Sequence, residues 1–172
     1  MKPTTDKKII YSTPRFEVCY QQFDGKDEKS KDFYFIDKPD AVSVIVLKAE
    51  KIGLILTERP ITKTISWEVP GGRMDRGETP LETAKRELLE ETGLTATSLE
   101  LLTTFYPLPS VTTEKMHIYI CKVHPNQKFT FDKQEGIVDF RFFSSAEIKK
   151  LIHVRQINCS IDGFALLYFL SL

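Results

Sequence analysis

Residues Gly71–Leu94 read GGRMDRGETPLETAKRELLEETGL, and their spacing predicts one helix with an unusual charged face. Thr79 is a good N-cap, Pro80 suits the first helical position, and Glu82 completes a capping box. Leu81, Ala84 and Leu88 fall at i, i+3 and i+7, an apolar stripe for the core. Gly93 stands where a left-handed residue ends a helix. Glu87, Glu90 and Glu91 then share one face at i, i+3 and i+4. Like charges so placed cost about 0.2–0.5 kcal/mol per pair. Either the face is solvated or a cation sits against it. Three clustered carboxylates are hard oxygen ligands suited to Mg²⁺ or Mn²⁺, and such a cation reverses the repulsion.

The glycines and charges around the helix choose between these readings. From Gly72 there are five residues to Glu78, then seven to Arg86-Glu87, followed by Leu88, Glu90-Glu91, Gly93 and Leu94. Seven fixed identities and two apolar positions coincide by chance on the order of 10⁻⁹ per starting residue, so accident is set aside. The pattern is the Nudix box, and the chain resembles a Nudix hydrolase. The resemblance implies an α/β (α+β) Nudix fold, an α/β/α sandwich around a mixed sheet. It also implies metal-dependent hydrolysis of a nucleoside diphosphate linked to a further group. Under it, Glu87, Glu90, Glu91 and the carbonyl of Gly71 are the metal ligands, with Mg²⁺ expected and Mn²⁺ an alternative. Arg86 orients a catalytic glutamate, with Glu78 as its ion-pair partner. Gly71-Gly72 has its own physical sense: without a Cβ, the backbone approaches a metal or substrate closely.

The box does not encode the linked group, so the flanks must. Three of them resemble the ADP-ribose pyrophosphatase branch. FEVCYQQFDGK…DFYFIDKPDAVSVIVL has the layout of its N-terminal hairpin and first central strand. LTERPITKTISWEVPGG resembles its strand–loop–strand, with Arg59 at the position of a substrate-contacting arginine. Pro109 lies 15 residues beyond Leu94 in YPLPSVTTEK, close to the proline that marks the branch, although Val111 stands where the branch has glycine. Glu114 matches a glutamate that follows that proline loop. Glu135, in DKQEGIVDF, matches the loop glutamate that serves the family as general base or extra metal ligand. Taken alone, each of these carboxylates reads as a surface group. Phe105, Tyr106 and the hairpin aromatics could stack an adenine, but a core role suits each of them as well. His117 and His153 have no metal-ligand spacing and receive no function. Two other readings remain. One keeps the chemistry but acts on nucleoside triphosphates, dinucleoside polyphosphates or capped RNA; the other is a silent Nudix-fold sensor, against which the retained box carboxylates speak.

Outward from the box, residues 16–37 read as a hairpin around the polar loop DGKDEKSK. AVSVIVL (41–47), IGLILT (52–57) and ISWEVPGG (65–72) read as strands. Further strands are expected near 99–106, 116–123 and 137–143, and helices near 145–153 and 161–171. That alternation suggests a mixed sheet covered on both faces. Residues 1–38 form an N-terminal extension and 39–172 the hydrolase domain. In the resembling branch the extension dimerises, so a homodimer is expected.

Composition excludes other classes. The chain has 172 residues, enough for a sizeable core, with 41% hydrophobic and 28% charged residues. Lys+Arg and Asp+Glu are equal at 24 each, so no net field attracts nucleic acid or an anionic membrane. Cys19, Cys121 and Cys159 are widely spaced and odd in number, which argues against a zinc site or a disulfide framework. No apolar leader opens the chain, and IDGFALLYFLSL is too short to span a bilayer, which needs about 20 residues. The cytoplasm is the expected compartment and a small nucleotide diphosphate the expected partner.

Overall fold

Residues 1–25, 29–124, 126–130 and 136–172 are described by the computed structural model. They fall into two compact units, one of residues 1–40 with 106–115, the other of 41–105 with 116–172.

The first unit is an antiparallel three-stranded sheet of β1 (Lys8–Ser12), β2 (Glu17–Asp24) and β3 (Ser30–Asp37). The expected hairpin is β2–β3, paired without a break from Glu17↔Asp37 to Asp24↔Ser30. β1 was not anticipated; all five of its residues are exposed, so no buried face marked it. Tyr106–Lys115 joins this unit rather than the box unit. It is tied there by Ile36 N–H to Val111 O at 2.8 Å and Thr113 N–H to Ile36 O at 3.0 Å.

The second unit is built on β4 (Ala41–Lys48), whose apolar run is buried on both faces, as expected of a central strand. Around it lie β5 (Lys51–Arg59), β6 (Thr64–Glu68), α1 (Pro80–Thr92), β7 (Ala96–Phe105), β8 (Met116–Val123), β9 (Ile137–Phe143), α2 (Ser145–His153) and α3 (Ser160–Phe169). The strand order is β6-β5-β4-β8-β7 with β9 on β5; β4–β8 is parallel and the other pairs are antiparallel, which makes the sheet mixed. Alternation along β4 sends side chains to two cores. Val42, Val44 and Val46 pack with Ala84 and Leu88 of α1, while Ala41 and Ile45 pack with Ile148 of α2 and with Ala165 and Leu166 of α3. Helices therefore cover both faces. Among the described residues, no helix is long and apolar enough to cross a membrane.

Two details depart from the expected packing. Leu81, assigned to the apolar stripe of α1, is exposed, and the inward face is instead Thr83, Ala84, Glu87, Leu88, Glu91 and Thr92. Two of the three acidic residues thus belong to the buried face. Tyr106, weighed for a core role, is exposed with Lys115 over its ring, whereas Phe105 packs on Phe164 with ring centroids 4.3 Å apart.

Candidate active site

Helix α1 is positioned by its ends. Thr79 accepts from the Glu82 N–H while the Glu82 carboxylate accepts from the Thr79 N–H at 2.8 Å. Gly93 closes the helix at φ 67°, its N–H bonded to Leu89 O at 2.8 Å. A Cβ there would lie 2.2 Å from Thr130 Oγ1, so the position is closed to other residues on two counts.

Arg86 is the hub of the acidic face. Its Nε and Nη2 hold both oxygens of Glu78 at 2.8 and 2.9 Å, and its Nη1 donates to Glu87 Oε1 at 2.8 Å and Glu90 Oε2 at 3.0 Å. Nη2 also reaches the Arg73 carbonyl at 3.1 Å, tying the helix to the loop after Gly72. This fork lowers the Glu78 carboxyl to about 2, helped by the Asp75 N–H and the Thr83 hydroxyl. Glu78 first, then Glu87 and Glu90, raise the Arg86 guanidinium above its ordinary value. One cation thus offsets part of the repulsion that the carboxylate spacing creates.

The loop opposite is held to β4 through Val44 N–H to Pro70 O at 2.7 Å and Val42 N–H to Gly72 O at 2.8 Å. From the helix side, Glu91 Oε2 accepts the Gly71 N–H at 2.6 Å. A Cβ on Gly72 would fall 2.4 Å from Glu87 Oε1, so Glu87 lies directly against that glycine. Glu87 and Glu91 are buried and Glu90 is exposed. Three carboxylates, closely lined by bare backbone and open to solvent at Glu90, form an all-oxygen donor set that fits Mg²⁺ or Mn²⁺.

Sequence reasoning missed two carboxylates in this unit. Arg59 lies against Glu68 through its Nε, at 3.2 and 3.1 Å from the two Glu68 oxygens, and through Nη2; Glu68 is buried while the arginine stays half exposed. Asp162, in the first turn of α3, is 5% exposed. Burial, with Glu68 nearby, pushes its carboxyl up to about 7. The only signal for Asp162 was an acid inside the apolar run IDGFALLYFL. Arg59, Glu68 and Asp162 line one cavity of about 110 Å³ with Gly71 and Gly72.

Pro109 is exposed and Glu114 buried in the other unit, where Glu114 pairs with Lys38 at 2.7 Å. Glu135 lies outside the described residues. His117 is on β8 and His153 ends α2.

A model of the NUDIX domain matches residues 37–160. The chain belongs to that family. Among relatives, an ADP-ribose pyrophosphatase of Bacillus subtilis (strain 168) is 29% identical over 169 residues, covering 96% of this chain and 90% of that protein. A methanol dehydrogenase activator of Bacillus methanolicus is 41% identical over 86 residues, 49% of this chain and 46% of that protein. A crystal structure titled as an ADP compounds hydrolase superposes with TM-score 0.83 at 22% identity, covering 99% of this chain and 94% of that one.

Proposed function

We propose that this Nudix protein is a divalent-metal-dependent pyrophosphohydrolase acting on ADP-ribose or a related nucleotide sugar. The observation that carries the reading is the Arg86 hub, which gathers Glu78, Glu87 and Glu90 while Glu91 grips the Gly71 amide. The similarity to an ADP-ribose pyrophosphatase across nearly all of both chains supports the substrate class.

In this reading Glu87, Glu90, Glu91 and the Gly71 carbonyl hold Mg²⁺ or Mn²⁺. When bound, the metal neutralises diphosphate charge and makes water a nucleophile near neutral pH. The rest falls to the chain. Arg86 offsets part of the charge of Glu87 and Glu90 and fixes their orientation. Glu68 fixes Arg59 beside the Gly71–Gly72 loop, where its guanidinium meets an anionic substrate. Pro109 and Glu114 serve the substrate side, and Glu114 and Glu135 are the two candidates for accepting the water proton. Water adds to one phosphorus as the bridging P–O bond breaks, giving AMP and a sugar phosphate.

The exposed Ile9, Ile10, Tyr11 and Tyr34 of the three-stranded sheet support a homodimer built on that unit. Light scattering at micromolar protein tests it, and a monomeric mass counts against it. The activity is tested with nucleotide sugars, dinucleotides and triphosphates, each with Mg²⁺ and with Mn²⁺, and identified products. AMP with ribose 5-phosphate from ADP-ribose supports the proposal. Turnover of triphosphates alone replaces it with the second substrate class, and no turnover of any compound leaves a sensor.

A further inference from the structure

Within the first unit, residues 36–40 at the end of β3 run side by side with residues 111–115. Ile36 N–H bonds Val111 O at 2.8 Å and Thr113 N–H bonds Ile36 O at 3.0 Å, the two contacts of a parallel bridge between Ile36 and Thr112. Past Ile36, side chains carry the pairing on. The Thr113 hydroxyl donates to Asp37 Oδ1 at 2.7 Å and accepts the Lys38 N–H at 3.2 Å. Asp40 Oδ1 accepts the Lys115 N–H at 3.0 Å. Between these two, Lys38 Nζ meets Glu114 Oε1 at 2.7 Å.

The ion pair is the costly contact of the set. Glu114 is 8% exposed, and a buried carboxylate recovers its lost hydration only with a well-placed counter-charge. Two apolar side chains would pack there without that cost. The segments are already joined by backbone and hydroxyl bonds on both sides of the pair. What the lysine adds is direction: an ammonium on one carboxylate oxygen fixes how the Glu114 side chain points.

We propose that Lys38 is a positioning residue for Glu114. One residue past β3, it holds the Glu114 carboxylate in the orientation in which Glu114 receives the substrate, and its effect on turnover runs wholly through Glu114. The hairpin unit thereby sets one contact of the substrate side. This rests on the reading above in which Glu114 serves the substrate, but the exchange measurement below does not.

The test compares the parent with Lys38→Met, Lys38→Arg, Glu114→Gln and the double variant Lys38→Met with Glu114→Gln. With ADP-ribose and Mg²⁺, Lys38→Met should lower kcat/KM about tenfold, within the range for residues in direct contact. Lys38→Arg keeps the cation and should restore most of that loss. The double variant should match Glu114→Gln alone, because nothing is then left to position. It also carries no lone buried charge, which covers the case where Lys38→Met fails to fold. Amide hydrogen exchange by NMR is the second readout. Protection at Thr113 and Lys115 should fall about tenfold in Lys38→Met and hold in Lys38→Arg, with Tyr20 on β2 unchanged. A further loss of kcat/KM in the double variant beyond Glu114→Gln overturns the proposal. So does parent-like kcat/KM in a folded Lys38→Met protein, or an arginine variant as impaired as the methionine one. If the parent turns over no ADP-ribose, the substrate reading fails separately and exchange decides: the pattern above keeps Lys38 as the holder of Glu114, and unchanged protection overturns it.

Discussion

Both oxygens of Glu78 are held by one guanidinium, Arg86 donating from Nε at 2.8 Å and from Nη2 at 2.9 Å. The pairing uses one edge of the fork and leaves Nη1 for Glu87 and Glu90. A lysine carries the charge but not the fork. Arg86→Lys should therefore keep the fold while lowering metal-dependent activity about 10–100-fold, the scale of lost outer-shell support. Kinetics with metal titration check this, and parent-like activity in Arg86→Lys would mean that charge alone suffices.

The same pairing gives a pH signature. The folded Glu78 carboxyl sits at about 2, chiefly through Arg86, against about 4.3 in a free chain. A depressed carboxyl contributes stability that is fully present above the free-chain value and lost as pH falls through the folded one. The melting-temperature gap between the parent and Glu78→Gln should be widest near pH 6 and close between about pH 4 and pH 2. Thermal melts across that range decide it; a gap independent of pH places the effect of Glu78 outside its charge.

How far the sequence could be read depended on how local each signal was. The caps of α1 at Thr79 and Gly93 depend on a few adjacent residues, and the helix runs between them from Pro80 to Thr92. β8 and β9 also occupy their expected spans, because apolar alternation is a local pattern. Leu81 misled because helical spacing admits more than one inward face, and the face that packs includes Glu87 and Glu91. Box carboxylates lie on that face because Arg86 and the Gly71 amide are there to meet them. Glu68 and Asp162 were invisible for the opposite reason. Arg59, the partner of Glu68, is nine positions away, and Asp162 comes beside both of them only in the folded cavity, so nothing in either local stretch marks them.

Asp162 predicts a stability trend of the other sign. Burial raises its carboxyl to about 7, with Glu68 adding to the rise and Cys159, the Val69 amide and Arg59 opposing it. A free aspartate titrates at about 3.9. A raised carboxyl contributes stability that is present below the free-chain value and lost as pH rises through the folded one. Asp162→Asn removes that titration at nearly unchanged size. Its melting temperature relative to the parent should rise from about pH 4 to about pH 7 and level off above that. A constant difference over this range would show that Asp162 does not titrate there in the fold.

Glu91 couples loop and helix through its hydrogen bond from the Gly71 N–H, so charge and geometry can be separated there. Glu91→Gln keeps an acceptor for the Gly71 N–H and loses the charge. Turnover should fall by roughly 10²–10⁴-fold, the scale of a single charge-stabilising or acid–base group, with melting temperature little changed. Near-parent turnover in a folded Glu91→Gln protein removes Glu91 from the metal chemistry.

The paired glycines separate fold from chemistry most sharply. A Cβ on Gly71 would lie 2.2 Å from the Val42 carbonyl oxygen, a backbone atom of the central strand. That atom cannot move aside, so Gly71→Ala should cost stability at the scale of core overpacking, about 1–3 kcal/mol or more. A Cβ on Gly72 would instead lie 2.4 Å from Glu87 Oε1, the far end of a flexible side chain. Glu87 can swing away, but only by leaving its place beside Arg86 Nη1. Gly72→Ala should therefore melt close to the parent while its metal requirement rises and its turnover drops. Gly77 supplies the control: its φ is 91°, yet a Cβ there meets nothing within 4 Å, so Gly77→Ala carries backbone strain without touching a carboxylate. Melting temperature and metal-dependent kinetics on the three variants form one experiment. If Gly72→Ala loses stability as Gly71→Ala does and keeps its metal response, then Gly72 serves the fold and Glu87 does not depend on its bare backbone.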